Sequence, residues 1–444
     1  MSILPNRERL NTIVWLGLPI IGGMLSQSLL NLVDAAMVGS LGSEALAGVG
    51  LGSYANFVAI ALLMGLGAGV QAMVARRRGE GNIAELAAPL NAGLLIAGVL
   101  AVPLTLLCWF NAEHIITFLS ADPAVVGIGT DYFQWRSLAI FAVGANFAFR
   151  GYWNGIRQTG RYLQILVAMH LLNVTLSYGL IFGRLGMPEL GAEGAGLGTC
   201  LAMFAGTAMY LILTWHRGGQ HGFLRIRPRA RSLQSMLRLS LPNSLQQFFF
   251  ATGVATLFWI IAQIGTPELA IAHVLINLAL FLILPGVGLG MAATTLVSHS
   301  LGADKPEEAY RWGWDVVRVA ICTLFIMGLP FWLAPEFILG LFTQDQQLLA
   351  LGEWPLRITG IGMTLDATAL VLTQALLGAG ASRTVMLVNM GSQWLIFLPL
   401  AYLAGPVMGG GLLLIWLMQS GYRTMTSIIL GIMWHRRSWA NIRI

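Results

Sequence analysis

Charge is what this chain has least of: only 10% of its 444 residues are Asp, Glu, Lys or Arg, and 57% are hydrophobic. A soluble domain carries about 25% charged residues, so a water-soluble domain is excluded. Cysteine is scarce too. Cys108, Cys200 and Cys322 all fall within apolar runs, and their spacing fits neither a disulfide framework nor a metal knuckle. They read as small buried hydrophobes. No nucleophile–base pair and no metal-ligand cluster can be read from the chain, so no enzyme activity, metal site or cofactor is expected. The first apolar run lacks a small-residue cleavage site followed by a polar mature chain, and it reads as a retained helix.

What is present is length of apolar run, with a mean hydropathy of +0.74. Runs of about 18 or more apolar residues each suffice to cross a hydrocarbon core of about 30 Å as a helix. Twelve spans are predicted, at 13–38, 48–75, 88–110, 126–150, 161–183, 190–215, 236–263, 270–299, 312–334, 349–377, 384–404 and 408–434. The fold class is an all-α membrane protein.

The net charge of +6 does not point to nucleic acid, because its distribution follows the membrane. Arg7 and Arg9 precede span 1, Arg76, Arg77 and Arg78 follow span 2, and Arg157 and Arg161 separate spans 4 and 5. Arg217, Arg225, Arg227, Arg229 and Arg231 fill the connection from span 6 to span 7, and Arg436 and Arg437 close the chain. The alternate connections hold Glu44, Glu113, Asp122, Glu189, Glu193, Glu268, Glu336 and Asp345, with Arg184 the exception. This is the positive-inside pattern, which puts both termini in the cytoplasm and requires an even number of spans. Anionic lipid headgroups suffice as partners for the arginines.

The chain also repeats itself. At an offset of 223, "LGLP" (16–19) meets "LSLP" (239–242), and "LGSEALA" (41–47) meets "IGTPELA" (264–270). Val74 meets Val297, Glu85 meets Glu308, Asp122 meets Asp345 and Gly155 meets Gly378, all without a gap. Two homologous six-helix lobes are expected, 1–215 and 236–444, joined by a cytoplasmic linker at 216–235 that contains "HRGGQHGFLRIRPRARS". Six helices return the chain to its starting side, so the lobes share one orientation. Parallel repeats of this kind are a transporter plan, with the substrate path between rocking halves.

Isolated polar groups stand inside the spans. Asp34, in "SLLNLVDAAMVGSLG" (28–42), is the one formal charge from Thr12 to Leu41. A carboxylate at the bilayer centre costs about 2.5–3.5 kcal/mol on insertion scales, and taking up a proton removes that charge. Asp34 is therefore a candidate proton or cation site; a structural, hydrogen-bonded Asp is the alternative. Span 5 places Asn173 and Ser177 at i and i+4 on one face, and the small-residue stretch "GAEGAGLGTC" (191–200) delivers Thr199. Oxygens around a carboxylate also suit a hard cation such as Na⁺. Asp34 is replaced by Leu257 in the second half, which has its own buried acid, Asp366, a second proton or cation candidate; pairing with a polar group on a neighbouring helix is the alternative. Its nearest charges in sequence are Arg357 and Arg383, more than two turns away on either side. His170, one turn before Asn173, could relay a proton or simply pack. Pro19 and Pro242 interrupt the backbone bonding of spans 1 and 7, and Pro19 is a candidate hinge about 22 Å along the helix from Asp34.

These motifs resemble those of the multidrug and toxic compound extrusion (MATE) transporters, over essentially the whole chain. The resemblance rests on "NLVDAAMVGSLGSEALAGVGLG" (31–52), "GLGAGVQAMVARRRGEGN" (65–82), the two LP motifs and "GVGLGMAATTLVSHSLGADKPEEA" (286–309). It implies two lobes of six helices around a V-shaped cleft. It also implies export of small amphipathic, often cationic drugs and toxins across a bacterial inner membrane in exchange for H⁺ or Na⁺, by a monomer. Asp34 matches the family's first-helix acid, and Asn173 and Thr199 match its partners. Ser177 departs from the DinF branch, which has a second Asp there. Asp366 matches the second-lobe acid of the NorM branch, but Phe250 stands where that branch has a Glu. With one carboxylate per lobe, H⁺ is favoured over Na⁺. The alternative is a flippase of the same superfamily for a lipid-linked headgroup. It would need a cationic interior, for which Arg136 and Arg423 are the candidates.

Overall fold

The computed structural model describes residues 5–120 and 122–442, and these are helical almost throughout. The first half comprises α1 (Arg7–Gly39), α2 (Ser43–Gly79), α3 (Ala88–Phe110), the short α4 (Ala112–Leu119), α5 (Pro123–Leu138), α6 (Ile140–Gly155), α7 (Thr159–Phe182) and α8 (Ala192–Gly218). The second comprises α9 (Ala230–Ala262), α10 (Thr266–Gly302), α11 (Pro306–Leu333), the short α12 (Pro335–Gly340), α13 (Gln346–Ala379), α14 (Ser382–Met390), α15 (Leu398–Tyr402) and α16 (Gly411–His435). Among the described residues, ten stretches are long and apolar enough to cross a membrane. The pair α5–α6, which breaks at Ala139, and α16 complete twelve crossings in two halves of six.

The internal repeat is visible in the helix ends. Both α1 and α9 span 33 residues and run through Pro19 and Pro242, and both α2 and α10 span 37. The caps repeat as well. Asp122 Oδ1 accepts from Ala124 N at 3.0 Å, and Asp345 Oδ1 accepts from Gln347 N at 2.8 Å. An acidic N-cap satisfies an orphan donor and complements the helix dipole, which is why this residue starts a helix in both halves. Small residues repeat for a packing reason. A Cβ on Gly155 would lie 3.0 Å from the Gln71 carbonyl oxygen, and one on Gly378 would lie 2.7 Å from that of Thr294. Helices this close need glycine at the crossing.

The second half departs from regularity at residues 382–407. There Gly391–Phe397 and Leu403–Val407 wind as π-helix on either side of α15. Pro399 and Pro406 offer no backbone N–H to the tighter ladder, so wider turns take over.

Contacts divide the chain into two compact units, Gly22–Ser244 and Met1–Ile21 with Leu245–Ile444. The division falls inside α1 and α9, two residues beyond Pro19 and Pro242, whereas the lobes expected from sequence end at the linker. In the unit Gly22–Ser244, α2 packs on α5 and α6, α3 on α6, and α7 on α8. The linker docks on this unit. Asn91 of α3 donates to the carbonyls of Gly222 (3.1 Å) and Ile226 (2.9 Å) and accepts from Leu224 N (3.1 Å). In the other unit α13 is central, with α10, α11 and α16 against it. The start of α1 belongs here: Arg9 Nε donates to Asp315 Oδ2 at 2.5 Å, and the guanidinium lies 3.7 Å from the Trp312 ring centroid.

Candidate functional site

Asp34 lies in the last two turns of α1, half-buried. Its Oδ1 is enclosed with no hydrogen-bond partner. The cation whose field reaches it is Arg136 of α5, yet no ion pair joins them among the described residues. Arg136 Nε is itself buried without a partner. An unpartnered charge in a low-dielectric site is costly, and a proton or a bound cation relieves it.

Asn173 and Ser177 are both fully buried on α7, and the spacing of one turn does what it implies. Ser177 Oγ donates to Asn173 Oδ1 at 3.1 Å, which leaves Asn173 Nδ2 buried and unpartnered. Helix α8 reaches this point because its small residues permit it: a Cβ on Gly198 would lie 2.8 Å from both N and Oγ of Ser177. Thr199 is the next residue, and its hydroxyl bonds back to the Ala195 carbonyl at 2.9 Å. The structure therefore joins Asn173 to Ser177, while Thr199 follows the α8 glycine that packs on Ser177. It hydrogen-bonds none of the three to Asp34.

His170 is held by α1. Its Nδ1 is 2.8 Å from Ser26 Oγ and its Nε2 is 3.2 Å from Gln27 Oε1. Gln27 Nε2 in turn donates to Asn31 Oδ1 at 3.1 Å, one turn before Asp34. Sequence reasoning missed Ser26, Gln27 and Asn31. The i, i+4 spacing of Gln27 and Asn31 was the available signal.

Asp366 pairs with a group on a neighbouring helix, the alternative to a free proton or cation site. Arg423 Nη1, from α16, donates to Asp366 Oδ2 at 2.7 Å, and the carboxylate is 1% exposed. Arg357 is instead engaged with Glu353 on its own helix at 2.8 Å. Beside the pair is a small cavity of about 30 Å³, whose lining includes Thr359, Asp366, Trp416, Gln419, Ser420 and Arg423. Trp416 Nε1 donates to Thr359 Oγ1 at 3.0 Å, and that hydroxyl donates to the Pro355 carbonyl at 2.9 Å. Asp366 Oδ1, Gln419 Oε1 and Arg423 Nε remain buried without partners. Pro19 stays within an unbroken helix. No group of three or more His, Cys, Asp or Glu that could hold a metal occurs among the described residues.

The MatE family profile matches residues 19–179 and 242–403, two stretches that begin at the equivalent prolines of the repeat. The Pseudomonas aeruginosa protein named Probable multidrug resistance protein NorM is 30% identical, over 93% of this chain and 86% of its own length. A Thermotoga maritima protein of the same name is 26% identical, over 91% and 88%. Among solved structures, a multidrug resistance MATE family transporter in an outward-facing conformation superposes with a TM-score of 0.89 at 21% identity, covering 97% of this chain and 96% of that one. A MOP superfamily transporter from Pyrococcus furiosus superposes with a TM-score of 0.88 at 21% identity, over the same shares.

Proposed function

The chain belongs to the MatE family, a family of membrane transporters and not of enzymes, and from that premise we propose that it exports amphipathic, often cationic compounds in exchange for protons. One observation carries the choice of ion. Asp34 has an enclosed, unpartnered oxygen, and its expected partners Asn173, Ser177 and Thr199 are all neutral. Protonation removes the charge that the bilayer penalises, whereas Na⁺ needs several oxygens to replace its hydration shell. Proton and drug binding that oppose each other through Asp34 would be coupled by linkage, each weakening the other by the same factor. The two lobes, 1–215 and 236–444, would alternate access by rocking, with Pro19 as the hinge in α1. The location is a bacterial inner membrane, with both termini cytoplasmic and the chain acting as a monomer. The flippase alternative is weakened by Arg423, one of its two candidate cations, because Asp366 neutralises it.

The test is export of a fluorescent cationic dye from proteoliposomes in Na⁺-free buffer under an imposed pH gradient. Wild-type protein is expected to export, and Asp34→Asn to fold with gradient-driven export reduced by at least ~10-fold. Wild-type transport that fails without Na⁺, or Asp34→Asn export at the wild-type rate, would overturn the reading.

A further inference from the structure

The Asp366–Arg423 pair bears on ion choice in a part of the chain that the proton reading leaves aside. Asp366 is 1% exposed and receives a charge-assisted hydrogen bond from Arg423 Nη1 at 2.7 Å, linking α13 to α16. A guanidinium stays charged throughout the physiological range, so this carboxylate has a cation beside it in every protonation state the rest of the molecule adopts. The Arg423 guanidinium also lies 5.8 Å from the centroid of the Tyr422 ring.

We propose that Arg423 is an ion-specificity determinant: a built-in counter-cation that keeps Na⁺ off Asp366. The residues around the adjoining cavity support this. Asp366, Gln419, Thr359 and Ser420 would supply oxygens of the kind a hard cation prefers. Thr359 Oγ1, however, is already engaged with Trp416 and Pro355. What remains, besides the Ser420 hydroxyl at the cavity wall, is two buried acceptors, Asp366 Oδ1 and Gln419 Oε1, and one buried donor, Arg423 Nε. Two acceptors and one donor are the hydrogen-bonding complement of a water molecule, and about 30 Å³ is room for one or two. Na⁺ would satisfy the acceptors but would face a fixed positive charge at ion-pair distance. The site therefore has the oxygens of a cation site, with the cation supplied by the protein.

This inference deepens the proton reading, but it is tested without transport. The thermal midpoint of the purified full-length protein is measured while NaCl replaces choline chloride at constant ionic strength, together with retention of radioactive Na⁺. Wild type and Arg423→Lys, which keeps the charge, are expected to show no Na⁺-dependent shift. Arg423→Gln leaves Asp366 open to a proton or to Na⁺; at pH about 9, where protons compete least, its midpoint is expected to rise by about 3 °C or more at about 100 mM Na⁺. Its half-saturating Na⁺ concentration should be at least ~10-fold below any measured for wild type. The double variant Asp366→Asn/Arg423→Gln should lose the response. Arg423→Met replaces the Gln variant if that one does not fold. A Na⁺ response in wild type that Asp366→Asn abolishes overturns the proposal, as does a folded Gln or Met variant blind to Na⁺. A Na⁺ requirement for export without Na⁺ binding at Asp366 would instead sink the proton reading alone.

Discussion

Ser177 Oγ donates to Asn173 Oδ1 at 3.1 Å across one turn of α7, and both side chains are essentially inaccessible. The bond satisfies the carbonyl of an amide whose Nδ2 has no partner. Ser177→Ala would leave both ends of that amide unsatisfied, a loss of about 1–3 kcal/mol. A lowered thermal midpoint is expected, and an unchanged one would show that Asn173 finds another donor. Ser177→Cys, which keeps a weak donor of similar size, should recover part of the loss.

The repeat predicts matched defects in the two halves. Gly155→Ala and Gly378→Ala each push a Cβ to 3.0 Å or less from a backbone carbonyl of the facing helix. Overpacking of this kind costs about 1–3 kcal/mol, read as a lower midpoint for both variants. Gly127 is the control: a Cβ there meets nothing within 4 Å. Gly127→Ala should be neutral or stabilising by up to about 1 kcal/mol, since alanine is the better helix former. Equal destabilisation at all three positions would refute the packing argument.

The proposed orientation rests on arginine segregation, and the linker is the place to test it. Arg227 is exposed, just beyond the segment that Asn91 anchors. Arg227→Cys, in a background with Cys108, Cys200 and Cys322 replaced, is expected to react with a membrane-impermeant maleimide only when the cytoplasmic face is open. Labelling from outside in intact cells would reverse the assigned topology.

Much of the fold was legible in the sequence because its causes are local or periodic. A helix in lipid must satisfy its own backbone, so apolar length announces most of the crossings, ten of them by length and composition alone among the described residues. The offset of 223 reappears in matched helix ends and in the Asp122 and Asp345 caps, because capping depends on neighbours two residues away. The bond from Ser177 to Asn173 was legible for the same reason, as an i, i+4 pair on one helix. Departures were legible only in part. Pro399 and Pro406 are visible in the sequence, but the π turns around them depend on how the freed carbonyls are rebonded.

By itself, then, the sequence determined the number of crossings, the duplication and the isolation of Asp34 along α1. It could not determine who meets Asp366. Along the chain that acid is more than two turns from any cation, and Arg423 lies 57 residues further on, on another helix. Helix α16 packs against α13, and that packing brings the guanidinium to 2.7 Å from the carboxylate. Local spacing encodes partners within a helix, because backbone geometry fixes which side chains are neighbours. Partners between helices depend on the rotation and crossing of two packed surfaces, and only the tertiary structure decides those.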